Sequence, residues 1–219
     1  MKKIVILLSS VLILVSGCSM HRLSDSNISK NIDIILSSKA SLNNVSFEGY
    51  KYYVPKGLKF IEKNDYNALL KDKKNNTYYF YIDVISYYHK TKNNYKINKK
   101  AYYSKKLKHN NKNGYIEINK IKNKYFIEFV FNYSKVEAYV SKKDIVSTVN
   151  NICYLVKSVK YNDKVLNSIV GENVLDYKEE EFNIFNSKSN DTDFLEYVKE
   201  YDSKKKDNDE ETIDINNDD

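Results

Sequence analysis

Few residues of this 219-residue chain have types and spacings that invite chemistry. Cys18 follows Val15-Ser16-Gly17. The small residues before it leave room for a peptidase, and its thiol is a point where a lipid can be attached. Tyr79, Tyr81, Asp83 and Tyr87 alternate, so on an extended strand they would share one face. A flat aromatic strip with a polar partner is a surface that holds sugar rings or a peptide. The blander reading is a strip covered by the N-terminal helix or by residues 165–201, since an aromatic patch standing exposed is a liability. Glu128 and Glu137 would act as a glycosidase pair only if the fold brought their carboxyl groups within about 5–10 Å. His89 and His109 read as solvated or turn residues. The acidic run at 207–214 has the look of a calcium loop but lacks the glycine at its sixth position. The sequence holds no glycine-rich phosphate loop, Gly-x-Ser-x-Gly elbow or His-Glu-x-x-His helix. The expectation is therefore no catalytic residues, no cofactor and no metal ligands.

The N-terminus is the most specific signal. Met1-Lys2-Lys3 is a short positive segment, and residues 4–15 are apolar except for Ser9 and Ser10. That run is short of the ~20 residues needed to cross a bilayer and reads as the apolar part of a secretory signal. Ending in Val15-Ser16-Gly17-Cys18, it resembles the lipobox signal of bacterial lipoproteins. The resemblance covers residues 1–18. It implies a signal peptide at 1–17, cleavage after Gly17, and diacylglycerol on the Cys18 sulfur. It also implies a cell-membrane location on the extracytoplasmic face, with membrane lipid held through Cys18. One lipid chain anchors reversibly and two anchor stably. Cytoplasmic chemistry is excluded on this reading.

Charge is divided along the chain. Residues 1–171 carry 30 basic and 12 acidic side chains, net +18, and residues 172–219 carry 6 basic and 17 acidic, net −11. A lysine-rich body suits anionic headgroups or cell-wall polymers, and a membrane or envelope protein is a further partner. The acidic tail could compete for the same face. Nucleic acid is not expected, because Arg22 is the only arginine and bidentate reading of bases or phosphates has almost nothing to work with. With two cysteines and three histidines, neither a disulfide scaffold nor a zinc site is indicated.

The elements that must position these residues follow from periodicity. Residues 18–26 read as a tether. Ile28, Ile32, Ile35 and Leu36 predict a helix over 27–40. Period-two patterns predict strands at 45–54, 57–62, 67–71, 77–88, 101–107, 115–121, 125–133 and 136–140, with a hairpin loop at 109–114 ending in Asn-Gly. Ser141 and Asp144 read as the cap of a helix whose stripe is Ile145, Val149, Ile152 and Val156. Cys153 lies beside that stripe. A short edge strand is expected at 158–161.

Together these predict an α+β domain over 27–162, an antiparallel meander sheet with amphipathic helices packed on it. Docked segments would follow at 163–202 and a disordered acidic tail at 203–219. Gly49-Tyr50 to Pro55 and Ile145 to Tyr161 make residues 45–162 similar to the Mog1/PsbP-like fold. That resemblance implies an accessory or binding protein, and it brings no catalytic motif. The expected function is a non-enzymatic, lipid-anchored extracytoplasmic binding lipoprotein. The alternative is a carbohydrate-binding or hydrolytic surface protein using the tyrosine strip.

Overall fold

A computed structural model of the chain describes residues 25–39 and 42–171. All of these residues belong to one compact unit. Cys18, the signal segment, and the expected docked segments and tail beyond Gly171 lie outside the described residues.

The first helix, α1 (Asp25–Ser37), buries Ile28, Ile32, Ile35 and Leu36, the stripe its periodicity predicts. The segment expected as one strand at 45–54 is instead a hairpin of β1 (Val45–Phe47) and β2 (Tyr50–Tyr52). Gly49 turns it with φ +87, a conformation side chains resist, and a Cβ there would sit 2.6 Å from Leu166 Cδ2. Next come β3 (Lys59–Lys63), β4 (Asn67–Lys71) and β5 (Thr77–Ile82).

The strand expected to run to Tyr88 stops at Ile82. Asp83 ends it, because its carboxylate accepts the Ser86 N–H at 2.7 Å and starts the helix α2 (Val84–His89). That N-cap bond overrides the strand preference of Ile85, Tyr87 and Tyr88. Lys90, with φ +53, closes the helix.

Residues 83–102 carry the chain across to the far edge of the sheet, where β6 (Tyr103–His109), β7 (Lys112–Ile121), β8 (Lys124–Phe131) and β9 (Ser134–Val140) follow. The β6–β7 loop is only Asn110-Asn111, both at positive φ, the pattern of a tight two-residue hairpin. It is not the longer loop ending in Asn-Gly. Gly114 lies inside β7, where a Cβ would run into the carbonyl oxygen of Val130. Asn132-Tyr133, also at positive φ, turns β8 into β9. A 3₁₀ turn (Lys142–Asp144) leads into α3 (Ile145–Ser158), then β10 (Lys160–Tyr161) and α4 (Asp163–Gly171).

Among the described residues there are two antiparallel sheets, ordered β1-β2-β10 and β3-β4-β5-β9-β8-β7-β6. The architecture is α+β. The larger sheet is two meanders joined where β5 pairs with β9, because the long 83–102 connection sends β6 to the opposite edge. It is not one continuous meander.

One face of this sheet is the hydrophobic core. Tyr78, Phe80, Ile82, Ile116, Ile118, Ile127, Phe129, Val136 and Ala138 meet α1 and α3 there. Each fully buried apolar side chain contributes about 1.5–3 kcal/mol. Tyr52 of the small sheet packs edge-on against Phe80 at 4.9 Å. The two helices are tied by Asn31 Nδ2 donating to Asn150 Oδ1 at 3.3 Å. Lys157 Nζ donates to the carbonyl oxygen of Ile35 at 2.7 Å and to that of Ser38, placing a cation at the negative end of α1. Cys153 is fully buried in the α3 stripe, and burial pushes its thiol up, so it is inert packing.

Candidate functional site

The second face of the large sheet carries the expected Tyr79 and Tyr81. The register sets their neighbours in two cross-strand rows. In the first, Tyr79 opposes Glu137, Glu137 opposes Glu128, Glu128 opposes Glu117, and Glu117 opposes Ser104. In the second, Tyr81 opposes Lys135, Lys135 opposes Val130, Val130 opposes Tyr115, and Tyr115 opposes Lys106. Three glutamates thus stand side by side on central strands. They are buried, at 3%, 2% and 2% exposure for Glu117, Glu128 and Glu137.

Like charges opposed across a sheet repel, so this row persists only because donors reach it. Lys135, 3% exposed, lies 2.6 Å from Glu137 Oε1 and 3.3 Å from Glu128 Oε2. Burial opposes the charge on Lys135, yet the two carboxylates outweigh it and hold its pKa above the usual lysine range. Tyr115 OH donates to Glu128 Oε1. Burial, then the Glu128 charge, pushes that phenol far up.

Glu117 is satisfied from the connection between α2 and β6, which lies as a strap at this end of the face. Tyr95 stacks on Tyr115 at 3.9 Å and 4°, and its OH donates to Glu117 Oε2. Burial, then Glu117, raises its pKa to about 12. Asn98 Nδ2 and Asn119 Nδ2 each donate to Glu117 Oε1 at 2.9 Å. Asn98 N–H also donates to Ser104 Oγ at 3.0 Å.

The fold therefore does bring Glu128 and Glu137 together, as glycoside chemistry would require. The Lys135 ammonium lies between them, and the cluster works as a buried brace.

The four residues expected on one partner face separate. Tyr79 is 6% exposed and Tyr81 half-buried, both on the second face. Asp83 is the buried cap of α2, and its N–H donates to the Tyr133 carbonyl at 2.9 Å. Tyr87 sits on α2 at a separate aromatic corner. It stacks on Tyr161 at 3.9 Å and meets Tyr133 edge-on at 5.5 Å. Its OH donates to Asp163 Oδ1 at 2.6 Å, and Lys90 Nζ lies 3.5 Å from its ring centroid. Burial, then Asp163, raises its pKa to about 12.

Sequence reasoning missed Glu117, Lys135 and Tyr95. The available signal was charge at 117, 128, 135 and 137 alternating with Ile116, Ile118, Ile127, Phe129, Val136 and Ala138, a pattern that reads as a solvated outer face.

A second grouping is made of lysines. Lys160 of β10 is the register partner of Lys51 in β2, and both are exposed. Lys112, at the start of β7, joins them through the turns. Asn132 N–H donates to the Asn113 carbonyl at 3.2 Å, and Asn132 Nδ2 donates to the Val159 carbonyl at 3.0 Å. Burial, then the nearby Lys160 and Lys157, pulls the pKa of Lys112 below the usual lysine range.

Among the described residues, no group of three or more His, Cys, Asp or Glu could hold a metal ion, and no helix is long and apolar enough to cross a membrane. No protein-family model matches the chain, and no curated protein is significantly similar to it.

Proposed function

We propose that the protein is a lipid-anchored, extracytoplasmic binding protein that carries out no chemistry of its own. The observation that carries this reading is Val15-Ser16-Gly17-Cys18 at the end of an apolar run of secretory length behind Met1-Lys2-Lys3. Lipid on Cys18 would leave residues 19–24 as the tether to α1. Six residues reach at most about 20 Å, so the body would stand close to the bilayer.

A binding role is supported by the use made of the acids. Glu128 and Glu137, the carboxylates considered for hydrolysis, are buried around Lys135. We read the finer architecture as Mog1/PsbP-like. The antiparallel sheet backed by α1 and α3, with β10 after the long helix, supports that reading. The alternative of a sugar-holding strip needs Tyr79, Tyr81 and Tyr87 on one open face, and the turn at Asp83 works against it.

Metabolic labelling with a fatty-acid probe tests the anchor. The wild-type chain takes up label and partitions with membranes, and Cys18→Ser loses both. Label and membrane association undiminished in Cys18→Ser would refute the reading.

A further inference from the structure

We propose that Lys51, Lys112 and Lys160, with Lys157 beside them, form a docking surface for a phosphodiester polymer of the cell envelope, an assignment that rests on the extracytoplasmic reading above. Lys51 and Lys160 face each other directly across β2 and β10, an arrangement that costs stability unless an anion lies over it. The β6–β7 and β8–β9 turns hold Lys112 beside them through Asn113, Asn132 and Val159. The depressed pKa of Lys112 is consistent with that crowding.

Among the described residues, none of these lysines makes an ion pair. The ion pairs of the described residues lie elsewhere, with Asp33 on Lys105, Asp144 on Lys74, and Glu128 and Glu137 on Lys135. A polyanion would therefore relieve a repulsion that the fold leaves standing.

The chemistry of the ligand follows from the side chains. Lysine is a point charge without the fork that reads one phosphate bidentately. A row of lysines on open strands fits a flexible chain with repeated negative charges rather than a single small anion. The position favours a polymer over the bilayer itself. Lys157 caps the Ser37 end of α1, a 13-residue helix about 20 Å long, whereas the tether joins the Asp25 end. Headgroup charge is screened within about 8 Å at physiological salt, so a surface one helix length from the anchored end is suited to anions that rise above the headgroups.

The test uses residues 18–219 with Cys18→Ser, so that binding is read without the anchor. The probes are poly(glycerol phosphate) and phosphatidylglycerol vesicles. The K51Q/K112Q/K160Q chain should bind the polymer at least about tenfold more weakly at 50 mM salt. Its log–log salt slope should be shallower by about two, since each phosphate neutralised contributes roughly 0.7. A charge-matched chain, K92Q/K96Q/K99Q, should stay within about threefold of the parent. If the triple variant shows no cooperative melting, K51Q/K160Q, which changes only exposed residues, gives the same reading with a smaller loss.

Three outcomes overturn the proposal. The parent fails to bind the polymer, both triple variants weaken equally, or the lysine variant loses vesicles while keeping the polymer. None of these bears on fatty-acid labelling at Cys18, so the anchor and the docking surface fail separately.

Discussion

Replacing Lys135 by methionine tests whether the buried acid row is a brace. The substitution keeps the length and packing of the aliphatic stem but removes the ammonium between Glu128 and Glu137. Both carboxylates then stay buried without their cation. Breaking a buried pair from one side costs about 3–5 kcal/mol, so with a urea slope of about 2 kcal/mol per molar the midpoint should fall by roughly 2 M. Glu128→Gln and Glu137→Gln added to Lys135→Met remove the stranded charges and keep an acceptor for Tyr115 OH. That triple variant should recover at least half of the loss.

A pH series adds a second reading. The Lys135 pKa is raised above its ordinary 10.5, so its stabilisation is fully present below about pH 10.5 and is lost as pH rises through the folded-state value. The gap between wild type and Lys135→Met should be level from pH 6 to 9 and close only in the alkaline range. A gap under about 1 kcal/mol at pH 7, or a triple variant as unstable as the single one, would refute the brace.

Two further substitutions probe the elements around it. Gly114→Ala should lose more than about 3 kcal/mol in urea unfolding, because the new Cβ meets the Val130 carbonyl in the middle of the β7–β8 ladder; a near-neutral result would mean the strands can separate there. Asp144 accepts from Ser141 Oγ at 2.6 Å and Lys74 Nζ at 2.5 Å. First the Lys74 hydrogen bond, then that of Ser141, holds its pKa below the ordinary 3.8. Its contribution is therefore present above about pH 4 and lost as pH falls. Asp144→Asn should melt roughly 2–4 °C lower at pH 7 and converge on wild type in acid, as followed by circular dichroism.

The parts legible in the sequence were those governed by local periodicity. The stripes of α1 and α3 lie where the pattern puts them, because one buried face imposes period 3.6 on the residues that line it. The misread segments turn on single side-chain or backbone events. One carboxylate at Asp83 ends a run of strand formers, and one glycine at Gly49 folds a strand into a hairpin. Gly114 looked like a turn residue because Asn113-Gly114 is a favoured hairpin pair, yet its glycine serves the close approach of β8. The second face stayed open between an exposed strip and a covered one for a different reason. Alternation tells which residues share a face, but not whether that face meets water. Glu117, Glu128, Lys135 and Glu137 satisfy the pattern of a solvated surface while lying buried, and Tyr95 reaches them from a segment with no periodicity at all.

The acid row and the lysine surface are two sides of one allocation of charge. The described residues contain 27 basic and 12 acidic side chains. Eight of those acids are held by the fold: Asp33 and Asp144 in ion pairs, Glu128 and Glu137 on Lys135, Glu117 under the strap, Asp72 on the Tyr78 hydroxyl, Asp83 as a cap and Asp163 on Tyr87. Each one engaged is one fewer available to offset an exposed lysine. Lys51 and Lys160 face each other with Lys112 beside them, and no ion pair among the described residues reaches any of the three. Random scatter of the same lysines and acids would pair many of them at the surface, where pairing contributes little stability. Drawing Glu117, Glu128 and Glu137 inward braces the sheet from its second face and leaves the exposed lysines for an outside partner. Uniform loss of polymer binding on removing any three lysines would break that link, because it would show that total charge, not the internal placement of the carboxylates, decides where a polyanion settles.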